Sequence, residues 1–258
     1  MKTFTTLLLT FSFGILVFSQ DLATYEKKVF NHKGQNMPYR LLLPKNFDAS
    51  QSYPLILVLH GAGERGNDNE AQLVHGATLF LNETYREKYP AFVMFPQCPA
   101  EDFWSNVQFK TNTDGQRVFE FQNGGKPTQA MENLQALLKD FIKNNPVKEN
   151  QIYVGGLSMG GMGTFEIVHR NPDLFAAAFP ICGGANPETA AKIKNVDWWV
   201  FHGGDDEVVP VAYSQKMVAA LNAQGARVKF SYYHGVNHNS WDNAFAEKDL
   251  LPWLFSHK

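Results

Sequence analysis

The stretch that decides the fold spans residues 151–163 and reads QIYVGGLSMGGMG. It opens as a strand-like run, 151–154, and continues into a small-residue turn with Ser158 at the centre of a G-x-S-x-G pattern. Glycines on both sides of the serine allow a sharp strand-to-helix turn, which brings the two elements together and exposes the hydroxyl. The pattern therefore predicts a candidate nucleophile beside a helix N-terminus, where partial positive charge favours developing negative charge.

Continuous apolar runs recur on both sides of this turn. Such runs are typical of strands buried on both faces, that is, parallel strands covered by helices. Helical patterns lie between them, and this alternation predicts βαβ units around a mostly parallel sheet. The predicted strands are 25–30 and 37–43, which form a hairpin, then 54–60, 91–95, 151–154, 176–181, 198–202 and 229–233. The predicted helices lie between Thr128 and Pro146, over 160–170 and over 211–224.

Residues 99–126 interrupt the alternation, because they are too many for an ordinary connection. Asp114-Gly115 stands between two stretches in which apolar and polar residues alternate, which predicts a small β-hairpin. The segment follows the carboxyl end of a strand, where ligands bind in open α/β folds. We expect it to overhang the site.

Composition limits the classes of partner. The chain has 258 residues, 44% of them hydrophobic, and a formal net charge of −2 with acids and bases interleaved. No basic stripe or acidic tail is present in the sequence, so nothing argues for a nucleic acid or an anionic membrane surface as partner. The expected substrate is a neutral or mildly charged small molecule or the end of a polymer. The sequence does not indicate an oligomeric state.

The N-terminus differs from the rest of the chain. Lys2 precedes an uncharged apolar run over 3–18, with Val17 and Ser19 at the −3 and −1 positions of a cleavage site before Gln20. This pattern predicts a signal peptide over 1–19, a single mature domain over 20–258, and a secreted or periplasmic protein without membrane insertion after cleavage. The alternative is an uncleaved N-terminal anchor.

The chain contains two cysteines, Cys98 and Cys182, each just after an apolar run. Export would permit a disulfide between them. Two buried free thiols are the equal alternative, because sequence does not give the distance between them.

A serine hydroxyl needs a base to take its proton, and that base needs an acid to orient it. In a fold of this kind the chain order is serine, acid, histidine. Downstream of Ser158, residues 205–207 offer three adjacent carboxylates after a strand, and His234 and His238 follow the last strand. The required order is present, with more than one candidate for each partner.

The chain resembles secreted α/β-hydrolase esterases, above all a group labelled predicted peptidases, which is similar to feruloyl esterases and polyhydroxybutyrate depolymerases. The matching stretches cover most of the chain from about residue 40 and are 59–66, 95–99, 153–163, 180–184, 202–210 and 238–241. The resemblance implies an α/β-hydrolase fold, with a mostly parallel central sheet and helices on both faces.

The resemblance also implies roles for particular residues. It selects Asp206 as the acid, with Asp205 as the alternative, and it selects His238 as the base because Asn-Ser-Trp follows it. Backbone N–H groups of Ala62 and Met159 are the expected oxyanion donors. No cofactor is expected. No metal is expected either, because a histidine pair at i,i+4 spacing without a helix or a third ligand does not indicate a zinc site.

We therefore expect a serine carboxylic ester hydrolase that works through an acyl-enzyme, and analogy suggests acetyl or feruloyl esters on carbohydrate. Trp104 and Trp241 lie in segments predicted to face the site, where they could stack on substrate. One alternative is a serine peptidase of the prolyl-oligopeptidase type, although those enzymes usually carry a large gating domain. Another is a non-catalytic binding protein on a hydrolase scaffold.

Overall fold

The computed structural model describes residues 22–113, 115 and 117–258. The predicted signal peptide and its cleavage site lie outside these described residues, as does Asp114 of the predicted hairpin turn. Among the helices of the described part, none is both long enough and apolar enough to cross a membrane.

Strands and helices alternate along most of the chain. The strands are β1 (Glu26–His32), β2 (Gln35–Leu42), β3 (Tyr53–Leu59), β4 (Phe92–Pro96), β5 (Val107–Thr111), β6 (Arg117–Phe121), β7 (Val147–Leu157), β8 (Ala177–Ile181), β9 (Asp197–Gly203) and β10 (Val228–Tyr233). The α-helices are α1 (Ala77–Leu81), α2 (Glu83–Lys88), α3 (Gln129–Asn144), α4 (Met159–Arg170), α5 (Ala190–Ile193), α6 (Ala212–Ala223), α7 (Trp241–Phe245) and α8 (Leu250–Phe255).

Within the described residues the main sheet has eight strands in the order β1-β2-β4-β3-β7-β8-β9-β10. The β1–β2 and β2–β4 pairs are antiparallel, and every pair from β4 to β10 is parallel. This is the mostly parallel sheet of the α/β-hydrolase fold that the sequence predicts. Parallel strands place their carboxyl ends along one edge, so the loops after β3, β7, β9 and β10 meet there.

Helices cover both faces of this sheet, because the central strands are apolar on both sides. Along β3, Leu55, Leu57 and Leu59 belong to one buried cluster, whereas Ile56 and Val58 belong to the cluster on the opposite face. Successive side chains of a strand point to opposite faces, so an uninterrupted apolar run is buried only between two layers of helices.

Most predicted elements are found, with different ends. Helix α3 begins where the sequence predicts, because the Thr128 side chain accepts a hydrogen bond from the Met131 N–H and caps it. Strand β7 begins at Val147, earlier than the apolar run, because Val147 pairs with Tyr53 of β3. The sequence does not predict the short helices α1, α2, α5, α7 and α8, because four to six residues are too few to show a periodic pattern.

The long segment after β4 contains the predicted hairpin, formed by β5 and β6. It is fixed to the main body by Tyr213 of α6, whose hydroxyl accepts a hydrogen bond from the Phe119 N–H at 3.0 Å. The two rings also meet edge to face, with their centroids 5.5 Å apart. The hairpin therefore overhangs the sheet edge that carries the site.

Both cysteines are free and buried. Cys98 follows β4 and Cys182 follows β8, and these strands are separated by β3 and β7. Three steps of about 4.8 Å put them about 14 Å apart. A disulfide needs Cα atoms within about 7 Å of each other, so the fold keeps the two thiols from bridging.

Candidate active site

Ser158 lies between β7 and α4 in a sharp turn. Its backbone has φ +53° and ψ −115°, an unusual conformation for a residue with a side chain, and its hydroxyl is partly exposed. The turn also needs glycine at position 160, because a Cβ there would lie 2.0 Å from the carbonyl oxygen of Leu59. The small residues that follow the serine in sequence thus let α4 contact β3 directly.

The structure brings together three residues that are distant in sequence. Nε2 of His238 lies 2.9 Å from Oγ of Ser158, and Nδ1 of the same ring lies 2.8 Å from Oδ2 of Asp206. The three residues come from the loops after β7, β9 and β10, which meet at the carboxyl edge of the sheet. This is the geometry of an activated nucleophile, a base and an orienting acid.

The carboxyl group of Asp206 is held as an anion by its neighbours. Its Oδ1 accepts hydrogen bonds from the N–H groups of Val208 and Val209 at 2.9 and 2.8 Å, and its Oδ2 lies 3.2 Å from Nε2 of His202. Burial opposes ionisation, but the bonds from His202, His238 and Val209 outweigh it and hold the pKa of Asp206 well below its usual range.

The alternative candidates lie elsewhere. Asp205 is exposed, and its N–H donates to the carbonyl of Val236. His234 is also exposed and contacts the ring of Tyr232, with centroids 4.6 Å apart. The hydrogen-bond chain from Ser158 runs through neither of them.

His202 lies near the end of β9, where the sequence predicts that a histidine braces the loop, as it also predicts for His60. Its Nε2 donates to the carbonyl of Val209 at 2.8 Å, and its Nδ1 lies 2.7 Å from Oγ of Ser214. A carbonyl oxygen can only accept, so Nε2 carries a proton that also faces Asp206. The loop that His202 braces is the one that carries Asp206, which the sequence did not indicate.

The residues expected to supply oxyanion donors line the pocket that contains Ser158. Ala62 begins a short 3₁₀ turn after β3, Met159 is the first residue of α4, and both line the same pocket as Ser158. The N–H groups in the first turn of a helix have no partner within that helix, so α4 itself leaves the Met159 N–H free to bind a ligand. Arg65 steadies the turn through a 3.0 Å hydrogen bond from its Nε to the Ala62 carbonyl.

His60 fixes the loop before this turn. Its Nε2 accepts a hydrogen bond from the Cys98 N–H at 2.9 Å, so the proton of the neutral ring is on Nδ1, which donates to the Gly61 carbonyl at 2.7 Å. Burial lowers the pKa of His60 to about 4, which keeps the ring neutral. The carbonyl of Gly61 and the N–H of Ala62 belong to one trans peptide, so this bond also orients that N–H.

The pocket above Ser158 is open and has a volume of about 400 Å³. Aromatic side chains of the 99–126 segment form one wall, where Phe103, Phe109 and Phe119 stack edge to face with centroids 5.2 and 5.5 Å apart. Trp241 also lines the pocket and packs against the ring of His238, with the two ring centroids 5.3 Å apart. A cavity of this size with few polar groups is typical of a small-molecule site.

One predicted substrate contact is wrong. Trp104 has no exposed surface and packs beneath the site against His60, with ring centroids 5.4 Å apart. A buried indole cannot stack on a ligand, and Trp104 is a core residue. Its neighbour Phe103 lines the pocket instead.

Within the described residues, the ligand atoms of Cys182, Asp206 and His238 lie within 4.8 Å of one another, close enough in principle to hold a metal ion. The carboxylate and the imidazole are already bonded to each other, however. Burial raises the pKa of the Cys182 thiol, and a metal ligand must be a thiolate. We assign no metal to this group.

Fold and site together define a serine hydrolase of the α/β-hydrolase class. Residues 48–248 match the model of the phospholipase/carboxylesterase family, and the chain belongs to that family. It is therefore a carboxylesterase-type hydrolase.

Individual relatives agree with this assignment. The chain is 25% identical over 203 residues to a protein of Arabidopsis thaliana called "Probable carboxylesterase SOBER1-like", a match that covers 74% of each protein. It is 34% identical to a thermostable esterase of known structure, with a TM-score of 0.81, over 92% of this chain and 64% of that one. The chain thus spans less than two thirds of that esterase. A ferulic acid esterase, 17% identical with a TM-score of 0.65 over 89% of this chain and 96% of the other, shares the fold.

Proposed function

We propose that the protein hydrolyses carboxylic esters through an acyl-enzyme on Ser158. The observation that carries the proposal is the hydrogen-bond chain from Asp206 through His238 to the Ser158 hydroxyl, at 2.8 and 2.9 Å, at the base of an open pocket. A hydroxyl bonded to an imidazole in this way can lose its proton as it attacks a carbonyl carbon.

In this mechanism His238 acts first as base and then as acid. Its Nε2 takes the proton of Ser158 during attack and returns a proton to the leaving alcohol oxygen when the tetrahedral intermediate collapses. Asp206 accepts the Nδ1–H bond, which fixes the tautomer and stabilises the imidazolium. The depressed pKa of Asp206 supports this role, because the acid stays ionised while the ring is charged.

The oxyanion of the intermediate is held by the N–H groups of Ala62 and Met159. Two observations support this assignment: both residues line the pocket that holds Ser158, and the His60 and Arg65 hydrogen bonds hold the loop that carries Ala62. A donor of this kind contributes roughly 100- to 1000-fold in rate.

The acyl group lies against the aromatic wall. Phe103, Phe109 and Phe119, together with Met162 and Val209, border the pocket and give it apolar surface suited to a ring. Of the two acyl groups that analogy suggests, this wall favours feruloyl over acetyl. The substrates are small or carbohydrate-linked esters.

We further propose that the protein is secreted and that its signal peptide is cleaved after Ser19. N-terminal sequencing of the exported protein would check the cleavage site.

The test compares wild type with Ser158→Ala on p-nitrophenyl acetate, p-nitrophenyl butyrate, methyl acetate and methyl ferulate. We expect activity in wild type alone, with a higher kcat/KM for methyl ferulate than for methyl acetate. A fluorophosphonate probe, which reacts with activated serines, should label wild type and leave Ser158→Ala unlabelled. Equal inactivity of the two proteins on every ester would contradict the proposal, and cleavage of a peptide library by wild type alone would assign a peptidase.

A further inference from the structure

The positions of Ser158 and His238 define where the alcohol part of a bound ester lies. His238 must pass the proton on its Nε2 to the leaving oxygen, so the alcohol part of the substrate lies on the His238 side of Ser158. On that side Trp241 packs against the His238 ring, with centroids 5.3 Å apart and planes nearly perpendicular. The alcohol part of the ester therefore lies beside Trp241.

A second cavity begins at this point. His75 and Trp241, whose rings are 5.0 Å apart, line both the catalytic pocket and a neighbouring groove of about 390 Å³. Helices α1 and α2 form one wall of the groove, and α7 forms the other. The two cavities are therefore adjacent, with the rings of His75 and Trp241 between them, and a long alcohol group that extends over Trp241 reaches the groove.

The walls of the groove are packed tightly together at its floor. A Cβ on Gly76, which has φ +80°, would lie 2.5 Å from the ring of Phe245. The backbone before α1 therefore packs closely against the Phe245 ring of α7, and position 76 has no room for a side chain.

The groove has the chemistry that a sugar chain needs. Trp241 offers an aromatic ring at its entrance, and the exposed side chains of Thr78, Asn82 and Asp242 offer hydroxyl, amide and carboxylate groups along it. Among the described residues that line it there is no lysine or arginine, so a phosphate or carboxylate group gains no ion pair there apart from His75. Rings with apolar C–H faces and many hydroxyls match this combination of an aromatic surface and neutral or acidic acceptors.

We propose that this groove binds the carbohydrate part of the leaving alcohol, so that the preferred substrate is an acylated oligosaccharide rather than a simple alkyl ester. The inference rests on the proposed esterase function and adds a second site to it. A methyl ester fills the acyl pocket alone, whereas an oligosaccharide ester with the same acyl group occupies the groove as well.

The experiment compares two esters of the same acid, methyl ferulate and a feruloylated arabinoxylo-trisaccharide. In wild type we expect kcat/KM for the oligosaccharide ester to exceed that for methyl ferulate by about tenfold or more, which is about 1.4 kcal/mol of additional transition-state binding. Thr78→Trp fills the groove at a distance from Ser158 and should reduce the ratio of the two kcat/KM values to about one. Thr84→Trp makes the same change on an exposed position of α2 outside the groove lining and should keep the wild-type ratio.

The outcomes separate the two proposals. Hydrolysis of methyl ferulate with a ratio near one in wild type, or a ratio that Thr78→Trp leaves unchanged, overturns the groove proposal and leaves the esterase proposal standing. Hydrolysis of neither ester, with no activity on p-nitrophenyl acetate, overturns both. Thermal melting checks that each variant is folded. If Thr78→Trp does not fold, Thr78→Arg takes its place in the comparison, because arginine is also large but polar.

Discussion

The bond from His60 to the Gly61 carbonyl allows a sharp test of how the oxyanion site is built. The ring uses its two nitrogens differently: Nδ1 donates to Gly61, and Nε2 accepts from the N–H of Cys98. Asn and Gln separate the two functions. In His60→Asn the amide nitrogen lies near the Nδ1 position and can still donate to Gly61. In His60→Gln the amide oxygen lies near the Nε2 position and can still accept from Cys98.

The expected magnitudes follow from these contacts. Each variant leaves one buried backbone group unpaired, which costs about 1 to 3 kcal/mol of the free energy of unfolding. Only His60→Gln releases the peptide that carries the Ala62 N–H. Complete loss of one oxyanion donor costs roughly 100- to 1000-fold in kcat. For a donor that is misdirected rather than removed, we expect a loss of about 10- to 100-fold in His60→Gln and less than about fivefold in His60→Asn.

The assay measures kcat and KM on p-nitrophenyl acetate, inhibition by phenylboronic acid, and urea unfolding for wild type and both variants. The loss should fall on kcat and on affinity for the boronic acid, which forms a tetrahedral adduct, while KM changes by less than about twofold. If His60 only stabilises the fold, the two variants lose stability and activity to the same extent. Equal kcat values in His60→Asn and His60→Gln would refute the orienting role.

Three further predictions concern stability and the thiols. Burial lowers the pKa of His60 to about 4 in the folded protein, whereas the unfolded value is about 6.5. As pH falls from 6.5 to 4, the His60 imidazole takes up a proton in the unfolded state but not in the folded state, so the free energy of unfolding should decrease. The loss, about 3 kcal/mol, should be seen by urea unfolding at pH 7 and pH 4 in wild type, and an equal loss in His60→Asn would contradict its assignment to His60. Gly160→Ala places a Cβ 2.0 Å from a β3 carbonyl and should cost more than about 4 kcal/mol, whereas Gly63→Ala, with open space around its Cβ, should change the free energy of unfolding by less than about 1 kcal/mol. Cys98 and Cys182 should not react with a thiol reagent in the native protein, and both should react after unfolding in guanidinium without a reducing agent. If they do not react in the unfolded protein, they form a disulfide.

Much of the fold could be predicted from the sequence, because its signals are local. Apolar runs such as 54–60 can only be covered from both sides, which makes them parallel strands under helices. The glycines around Ser158 permit the sharp turn that this fold needs, and the segment after Thr128, with its cap and its apolar stripe, becomes α3. The short helices α1 and α7 have no such periodic signal, and they are the elements that form the groove.

By itself the sequence predicted the candidate nucleophile and the order of its partners, because the strand-to-helix turn is a local pattern and chain order is read directly from the sequence. The residues alone left open the choice between Asp205 and Asp206 and between His234 and His238, and the resemblance favoured Asp206 and His238. The tertiary structure supports that choice, because it shows which side chains three separate loops bring within 3 Å of each other. It also buried Trp104 and left Trp241 at the pocket. An aromatic residue in a loop carries no local signal of which side faces the core, and packing across the whole sheet decides it.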